Sequence, residues 1–362
     1  MRADIFCRVV DNYGDIGVCW RLARRLHAGR GWQIRLWVDD LRAFARLQPE
    51  VDPTAARQQV QGIDVIRWGE HPDLLPGDVV IEAFACDPPA GFVQAMRRSH
   101  PLPAWINLEY LSAEDWVESC HGLPSQRPDG LVKHFFFPGF TSATGGLIRE
   151  PGLSAERDAL QSSHAAQQAF LSTLGVPRAD HARRILTLFC YPEAPYRELV
   201  QALRRWPTLV IVPQGVAPGL EDAAGGEVQI ARIAFVTQPD FDRLLWCADL
   251  NFVRGEDSFV RAAWAARPLV WQIYPQQENI HLEKLQAWLA RYPAPPAAHH
   301  LLRAWNAPAT GTDWATTLDA ALQGQAWDAW RQSASDWDAG FAARQDLGDA
   351  LADFCASLTK TR

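Results

Sequence analysis

No run of about 20 apolar residues occurs in this chain, so no membrane-spanning helix is expected. The apolar stretch near the N-terminus is short and is interrupted by Asp4 and Arg8, which does not make a signal peptide. Basic residues are not in excess: 35 Lys and Arg against 42 Asp and Glu leave a net charge of −7. That balance argues against nonspecific binding to nucleic acid or to an acidic membrane, because neutralising phosphates takes surplus cations. C-x-x-C pairs are also missing. The seven cysteines (7, 19, 86, 120, 190, 247, 355) are odd in number, and several sit in apolar runs such as Ile5-Phe6-Cys7. They read as reduced, buried small residues of a cytoplasmic protein. Neither G-x-G-x-x-G nor G-x-x-x-x-G-K-[ST] occurs, which disfavours a dehydrogenase and a P-loop NTPase. The absence of G-x-S-x-G removes support for a serine hydrolase. His281, His299 and His300 lack carboxylate or cysteine partners at zinc-site spacing, so no metal is expected.

What is present is a soluble composition, 48% hydrophobic and 21% charged, over 362 residues, too long for one ordinary core. The first half reads as strands alternating with helices. Strands are expected at 5–10, 34–38, 63–68, 78–84 and 104–108, and helices at 18–27, 41–47 and 92–98. The stretch 111–152 is turn-rich, 154–174 reads as one helix, and 175–184 as a linker. A second series follows, with strands at 185–190, 209–212, 229–236, 250–253 and 269–273 and helices between them. The last 60 residues read as helical. Such alternation implies parallel βαβ units, so the expected class is α/β with two Rossmann-like halves and a cleft between them.

In open α/β sheets ligands bind outside the carboxyl ends of strands. Two turns occupy such places: Asp11-Asn12-Tyr13-Gly14-Asp15-Ile16-Gly17 after the first strand, and Arg254-Gly255-Glu256-Asp257-Ser258 before a helix-like run. The unpaired N–H groups of a helix start can hold an anion such as a phosphate. Equally, Asp257 or Ser258 can simply cap that helix, and Asp15 can cap the one beginning near Ile16. Asp11 and Asp15 carry carboxylates suited to general-base work. Phe189, Tyr191, Phe235 and Phe241, near strand ends of the second half, fit a packed core or a platform for a planar base.

These motifs carry a resemblance. Asp11–Gly17, Leu188–Tyr191, Phe252–Arg261 and Leu269–Gln276, in this order along nearly the whole chain, closely resemble the bacterial protein-arginine rhamnosyltransferases that modify elongation factor P. The resemblance implies a GT-B fold, two Rossmann-like domains facing a central cleft, with boundaries near 1–175 and 183–340. A last helix at about 341–362 would return to the first domain. It implies an inverting transfer of L-rhamnose from dTDP-β-L-rhamnose to an arginine of elongation factor P, with no metal or other cofactor. Phe189, Phe235 and Phe241 would hold the thymine. Asp257, Ser258 and Tyr274 would meet the ribose and diphosphate, with Arg254 and Glu256 in the same pocket and Tyr191 and Gln238 nearby. Asp15 would be the base, with Asp11, Asn12, Tyr13 and Gly14 on the acceptor side; Glu256 is grouped with the catalytic carboxylates. Two other classes stay open at this point: a GT-B transferase with a small-molecule or lipid acceptor, and a nonenzymatic module that docks on a translation factor.

Overall fold

The structure, a computed structural model, describes residues 1–11, 13–69, 71, 73–177 and 183–360. Asn12 and half of the expected linker, 178–182, lie outside the described residues. The chain divides into two compact units, one made of residues 1–151 and 341–362 and the other of 152–340.

The first unit is built on eight strands: β1 (Arg2–Cys7), β2 (Gln33–Val38), β3 (Arg57–Val60), β4 (Ile63–Arg67), β5 (Val79–Ala83), β6 (Ala104–Leu108), β7 (Pro124–Gln126) and β8 (Val132–Phe136). Their order is β3-β4-β2-β1-β5-β6-β8-β7, with Ile5 opposite Leu36 on one side and Ile81 on the other. Pairing is parallel except at the two flanks, where β3 and β7 run antiparallel to their neighbours. Ala3 to Cys7 and all of β5 are buried, as strands covered on both faces must be, which is why they read as mainly apolar runs, interrupted by the buried Asp4 and Glu82. The strand expected over 5–10 ends earlier, at Cys7. Beyond it Val9 N–H leaves the sheet for the Asp39 carboxylate (2.9 Å), and Val10 is 65% exposed. The stretch 111–152 is more than a loop, since it supplies β7, β8 and the helix Trp116–Cys120. The final helix, Leu347–Lys360, joins the helix Gly14–Arg30 in this unit. Arg25 pairs with Asp346 (2.8 Å) and Asp349 (2.7 Å), and Arg30 with Asp349 (2.7 Å).

The second unit contains β9 (Arg184–Leu188), β10 (Thr208–Pro213), β11 (Val228–Ile233), β12 (Leu250–Arg254) and β13 (Leu269–Gln272), all parallel in the order β11-β10-β9-β12-β13. The single helix expected over 154–174 is two, Leu153–Gln161 and His164–Thr173, broken where Ser163 accepts a capping hydrogen bond from Ala166 N–H. Both belong to this unit, so the division falls near 151 and not near 175. Leu160, Phe170, Leu171 and Leu174 pack with Leu209, Ile211 and Leu244. Of the seven cysteines six are buried, Cys120 is partly exposed, and none is disulfide-bonded. Among the described residues no helix is long and apolar enough to cross a membrane, and no cluster of three or more His, Cys, Asp or Glu is placed to hold a metal ion.

Candidate functional site

In the second sheet the direction of winding reverses between the adjacent strands β9 and β12. The loops that leave their carboxyl ends diverge there and open a crevice, the usual ligand position in doubly wound sheets. Phe189 and Tyr191 follow β9, and Gly255 to Ser258 follow β12. Phe189 N–H donates to the Phe252 carbonyl (2.9 Å), and Tyr191 N–H to Gln272 Oε1 (2.8 Å), so both backbones are fixed by the neighbouring strands. The Arg254 guanidinium lies 4.6 Å from the Phe189 ring centre and 4.5 Å from that of Tyr191. Phe241 meets Phe189 edge-on at 5.8 Å, and Tyr274 meets Tyr191 edge-on at 5.5 Å. Five of the residues picked from sequence, 189, 191, 241, 254 and 274, therefore form one aromatic cluster around a cation. Phe235, 40% exposed, lies between β11 and the helix Gln238–Cys247, whose first residue Gln238 is buried.

The turn after β12 depends on Gly255, whose φ of 65° favours glycine. Its N–H donates to Gln272 O (3.1 Å) and its carbonyl accepts from Trp271 Nε1 (2.7 Å). The helix Asp257–Trp264 then begins. Neither Asp257 nor Ser258 is its N-cap; Glu256 is, and it makes no capping hydrogen bond with its side chain. The Ser258 hydroxyl instead donates back to the Arg254 carbonyl and accepts from Arg254 N–H (3.2 Å), closing the turn. The result is a helix N-terminus without a side-chain cap, next to a cation, which is an environment for an anion.

Sequence reasoning missed the element that sets these two helices against each other. Arg261 donates to both carboxylate oxygens of Asp242, at 2.9 and 2.7 Å, with both residues buried. A bidentate pair of this kind fixes geometry as well as charge. It ties the helix bearing Asp257 and Ser258 to the helix bearing Gln238 and Phe241. The only trace in the sequence is one charge interrupting each apolar helix face.

In the first sheet the reversal falls between β1 and β5. Asp15 sits here, in the first turn of the helix Gly14–Arg30, and is 2% exposed. Tyr13 is the N-cap residue, without a side-chain cap. The Asp15 carboxylate turns back on the preceding loop: Oδ2 accepts from Val10 N–H (2.8 Å) and Asp11 N–H (2.9 Å), and Oδ1 from the Tyr110 hydroxyl (3.3 Å). Burial pushes its pKa above the ordinary aspartate value; the two backbone N–H groups oppose that shift, nearby Asp11 adds to it, and the Tyr110 hydroxyl also opposes it. The loop is tight, since Gly14 N–H donates to Asp11 O (2.7 Å) and a Cβ at Gly14 would stand 2.9 Å from Asp11 Oδ2. The Tyr13 hydroxyl accepts from Arg46 (2.8 Å). A buried carboxylate held ready with a raised pKa suits a proton acceptor or a cation ligand.

The chain matches the family model of the elongation-factor P (EF-P) rhamnosyltransferase EarP over residues 3–356. It is 49% identical to the protein-arginine rhamnosyltransferase of Pseudomonas putida, over 97% of both chains, and 47% identical to that of Pseudomonas aeruginosa, over 98% of both. Among solved structures it is similar to one from work on the structural basis for EarP-mediated arginine glycosylation of translation elongation factor EF-P. The TM-score there is 0.66 at 36% identity, over 98% of this chain and 99% of that one. Phytolacca americana UGT2 complexed with UDP-2-fluoroglucose and pterostilbene has the same fold at 9% identity, with a TM-score of 0.53 over 98% of this chain and 99% of that one.

Proposed function

The chain belongs to the elongation-factor P rhamnosyltransferase family and is a protein-arginine rhamnosyltransferase of GT-B fold, and from that premise we propose that it transfers L-rhamnose from dTDP-β-L-rhamnose to one arginine of elongation factor P, with inversion. The observation that carries this reading is Asp15: a buried carboxylate in a fixed hydrogen-bond frame, with its proton affinity raised. An arginine acceptor demands such a group. A guanidinium keeps its proton to a pH above about 12 and delocalises its lone pairs, so it is a poor nucleophile until one N–H is bound and withdrawn.

In the proposed step the guanidinium nitrogen forms a bond to C1 of the sugar while the bond from C1 to the diphosphate oxygen breaks. The electron pair leaves with dTDP, and the nitrogen's proton passes to Asp15. One in-line displacement inverts C1 and needs no covalent enzyme intermediate. Asp11, Tyr13 and Gly14 shape the loop that presents Asp15. On the second unit, Phe189, Phe235 and Phe241 take the thymine, and Tyr274 and Asp257 the ribose. Arg254 and the N–H groups at Glu256–Ser258 meet the diphosphate. The positive charge that offsets the negative charge growing on the leaving oxygens then comes from the chain itself, without a resident metal or cofactor. Tyr191 is a wall for Arg254, and Gln238 anchors its helix beside Phe241. Glu256, as N-cap residue, stands where a sugar hydroxyl could be held. The unpaired cysteines fit action in the cytoplasm, with no nucleic-acid or membrane partner.

The test is to incubate the protein with dTDP-rhamnose and elongation factor P and to map the product by mass spectrometry. A mass gain of one deoxyhexose on an arginine is expected. Transfer to a small molecule but not to the factor, or no transfer at high enzyme concentration, overturns the proposal.

A further inference from the structure

Gln272, the last residue of β13, is 5% exposed and holds both loops that border the crevice of the second sheet. Its carbonyl accepts from Gly255 N–H (3.1 Å), and its side-chain Oε1 accepts from Tyr191 N–H (2.8 Å). The second contact spans the sheet. β12 lies between β9 and β13, so a side chain that leaves β13 and meets the loop after β9 must cross the carboxyl end of β12. The amide therefore lies across the floor of the crevice. Gln272 is also in register with Arg254, which puts both side chains on one face of the sheet at one level. A backbone N–H can only donate, so the amide atom facing Tyr191 is the oxygen, and the orientation of the group follows from that bond. Nε2 is then the atom turned away from Tyr191. Among the described residues it has no hydrogen-bond partner. Buried amides are nearly always paired. An unpaired donor beside Arg254 and the helix start at Asp257 is suited to an acceptor from outside the chain.

We propose that Gln272 Nε2 donates a hydrogen bond to an oxygen of the donor's diphosphate, while Oε1 keeps the loop of Tyr191 in place. Diphosphate oxygens accept and Nε2 only donates, so the two are complementary without any charge on the side chain. Such a bond strengthens as the bond to C1 breaks and negative charge gathers on the leaving oxygens. One amide thus ties the loop after β9 to the group that departs. The inference rests on the dTDP-rhamnose donor proposed above.

Two variants separate the donor from the brace. Gln272→Glu keeps an oxygen for Tyr191 N–H but turns a carboxylate oxygen toward the diphosphate, whereas Gln272→Met removes both contacts and adds no charge. Affinity for dTDP is measured by calorimetry at about pH 8, where glutamate is ionised, and affinity for thymidine, which has no phosphate, by NMR titration. Gln272→Glu is expected to bind dTDP at least about tenfold more weakly and thymidine within about twofold of the unaltered protein. Gln272→Met should lose about three- to fivefold for dTDP, less than Gln272→Glu. A mere brace predicts the opposite ranking. Near-normal dTDP binding in Gln272→Glu, with or without a loss in Gln272→Met, overturns the proposal. Should one variant lose its melting transition, the other decides: a larger loss for dTDP than for thymidine supports the contact, and an equal loss overturns it. If the unaltered protein binds no dTDP, the donor itself is overturned; normal binding with a silent Gln272→Glu overturns the contact alone.

Discussion

Replacing Asp15 by asparagine removes a charge and the proposed base while leaving the local hydrogen bonds in place. Oδ2 accepts from two backbone N–H groups and Oδ1 from the Tyr110 hydroxyl. In Asp15→Asn the amide oxygen can take the position of Oδ2, and the amide nitrogen can donate to the Tyr110 oxygen, which accepts as readily as it donates. The loop should therefore keep its shape. What is lost is the proton acceptor, a contribution of roughly 10²–10⁴ in rate, or about 3–5 kcal/mol of barrier. Turnover should fall at least about 100-fold, measured as deoxyhexose incorporation into elongation factor P under single-turnover conditions. The dTDP affinity should not change, because the proposed nucleotide residues lie on the other unit. Turnover within tenfold of the unaltered protein would refute the assignment of Asp15 as base.

The same variant has a pH signature in stability. Asp15 is protonated more readily in the folded protein than an ordinary aspartate, because burial disfavours its charge. The folded state thus binds the proton more tightly than the unfolded one. Its stabilising effect is complete below the unfolded pKa of about 4 and is lost as pH rises through the raised folded value. Asparagine has no such dependence. The melting temperature of Asp15→Asn relative to the unaltered protein should rise on going from pH 3 to pH 7; a falling difference would mean that the carboxylate is stabilised where it sits. The acid limb of turnover should likewise lie above the ordinary aspartate range.

Arg254→Lys keeps the charge but not the plane that faces Phe189 and Tyr191, so dTDP should bind about tenfold more weakly by calorimetry; an unchanged affinity would refute the guanidinium's role. Phe235→Ala, at a half-exposed ring, should leave melting nearly unaltered yet weaken dTDP binding about 3- to 10-fold, the scale of one stacking contact. Equal affinity would remove Phe235 from the thymine site. Asp242→Ala strands the buried Arg261 and should cost about 3–5 kcal/mol in chemical denaturation; a loss below about 1 kcal/mol would show that the pair does not lock the two helices.

The parts legible in the sequence are those where one physical demand acts alone. A strand covered on both faces, such as Leu209–Val212, carries an unbroken apolar run because little else is tolerated there. Strand β8 escaped notice because its polar residues have work inside the sheet. Lys133 reaches the buried Glu82 (2.5 Å) and lies over the Trp105 ring, so a charge stands where the pattern asks for an apolar residue. The boundary near 151 was illegible for another reason. An amphipathic helix announces that it has a core to cover but not which core, and Phe170 and Leu171 would read alike on either unit. Asp15 and Arg254 stood out as charges in turns. Tyr110, whose hydroxyl meets Asp15 Oδ1, did not, because no local residue preference signals the left-handed turn at Phe84 on which its ring stacks.

The two turns singled out at the start occupy the same topological place, the carboxyl ends of strands where winding reverses, yet they are built with opposite sign. After β12 the N-cap residue Glu256 makes no side-chain capping hydrogen bond, and Arg254 lies over two rings, so the crevice presents a helix N-terminus and a cation. After β1 the loop's own N–H groups at Val10 and Asp11 are spent on Asp15, and Asp11 lies beside it, so that crevice presents anions. A nucleotide diphosphate and a protonated guanidinium are the two charged partners of the proposed transfer. Each turn suits one of them and repels the other. The division of labour between the two units thus rests on where each loop's N–H groups point, which the order of residue types along the chain does not reveal.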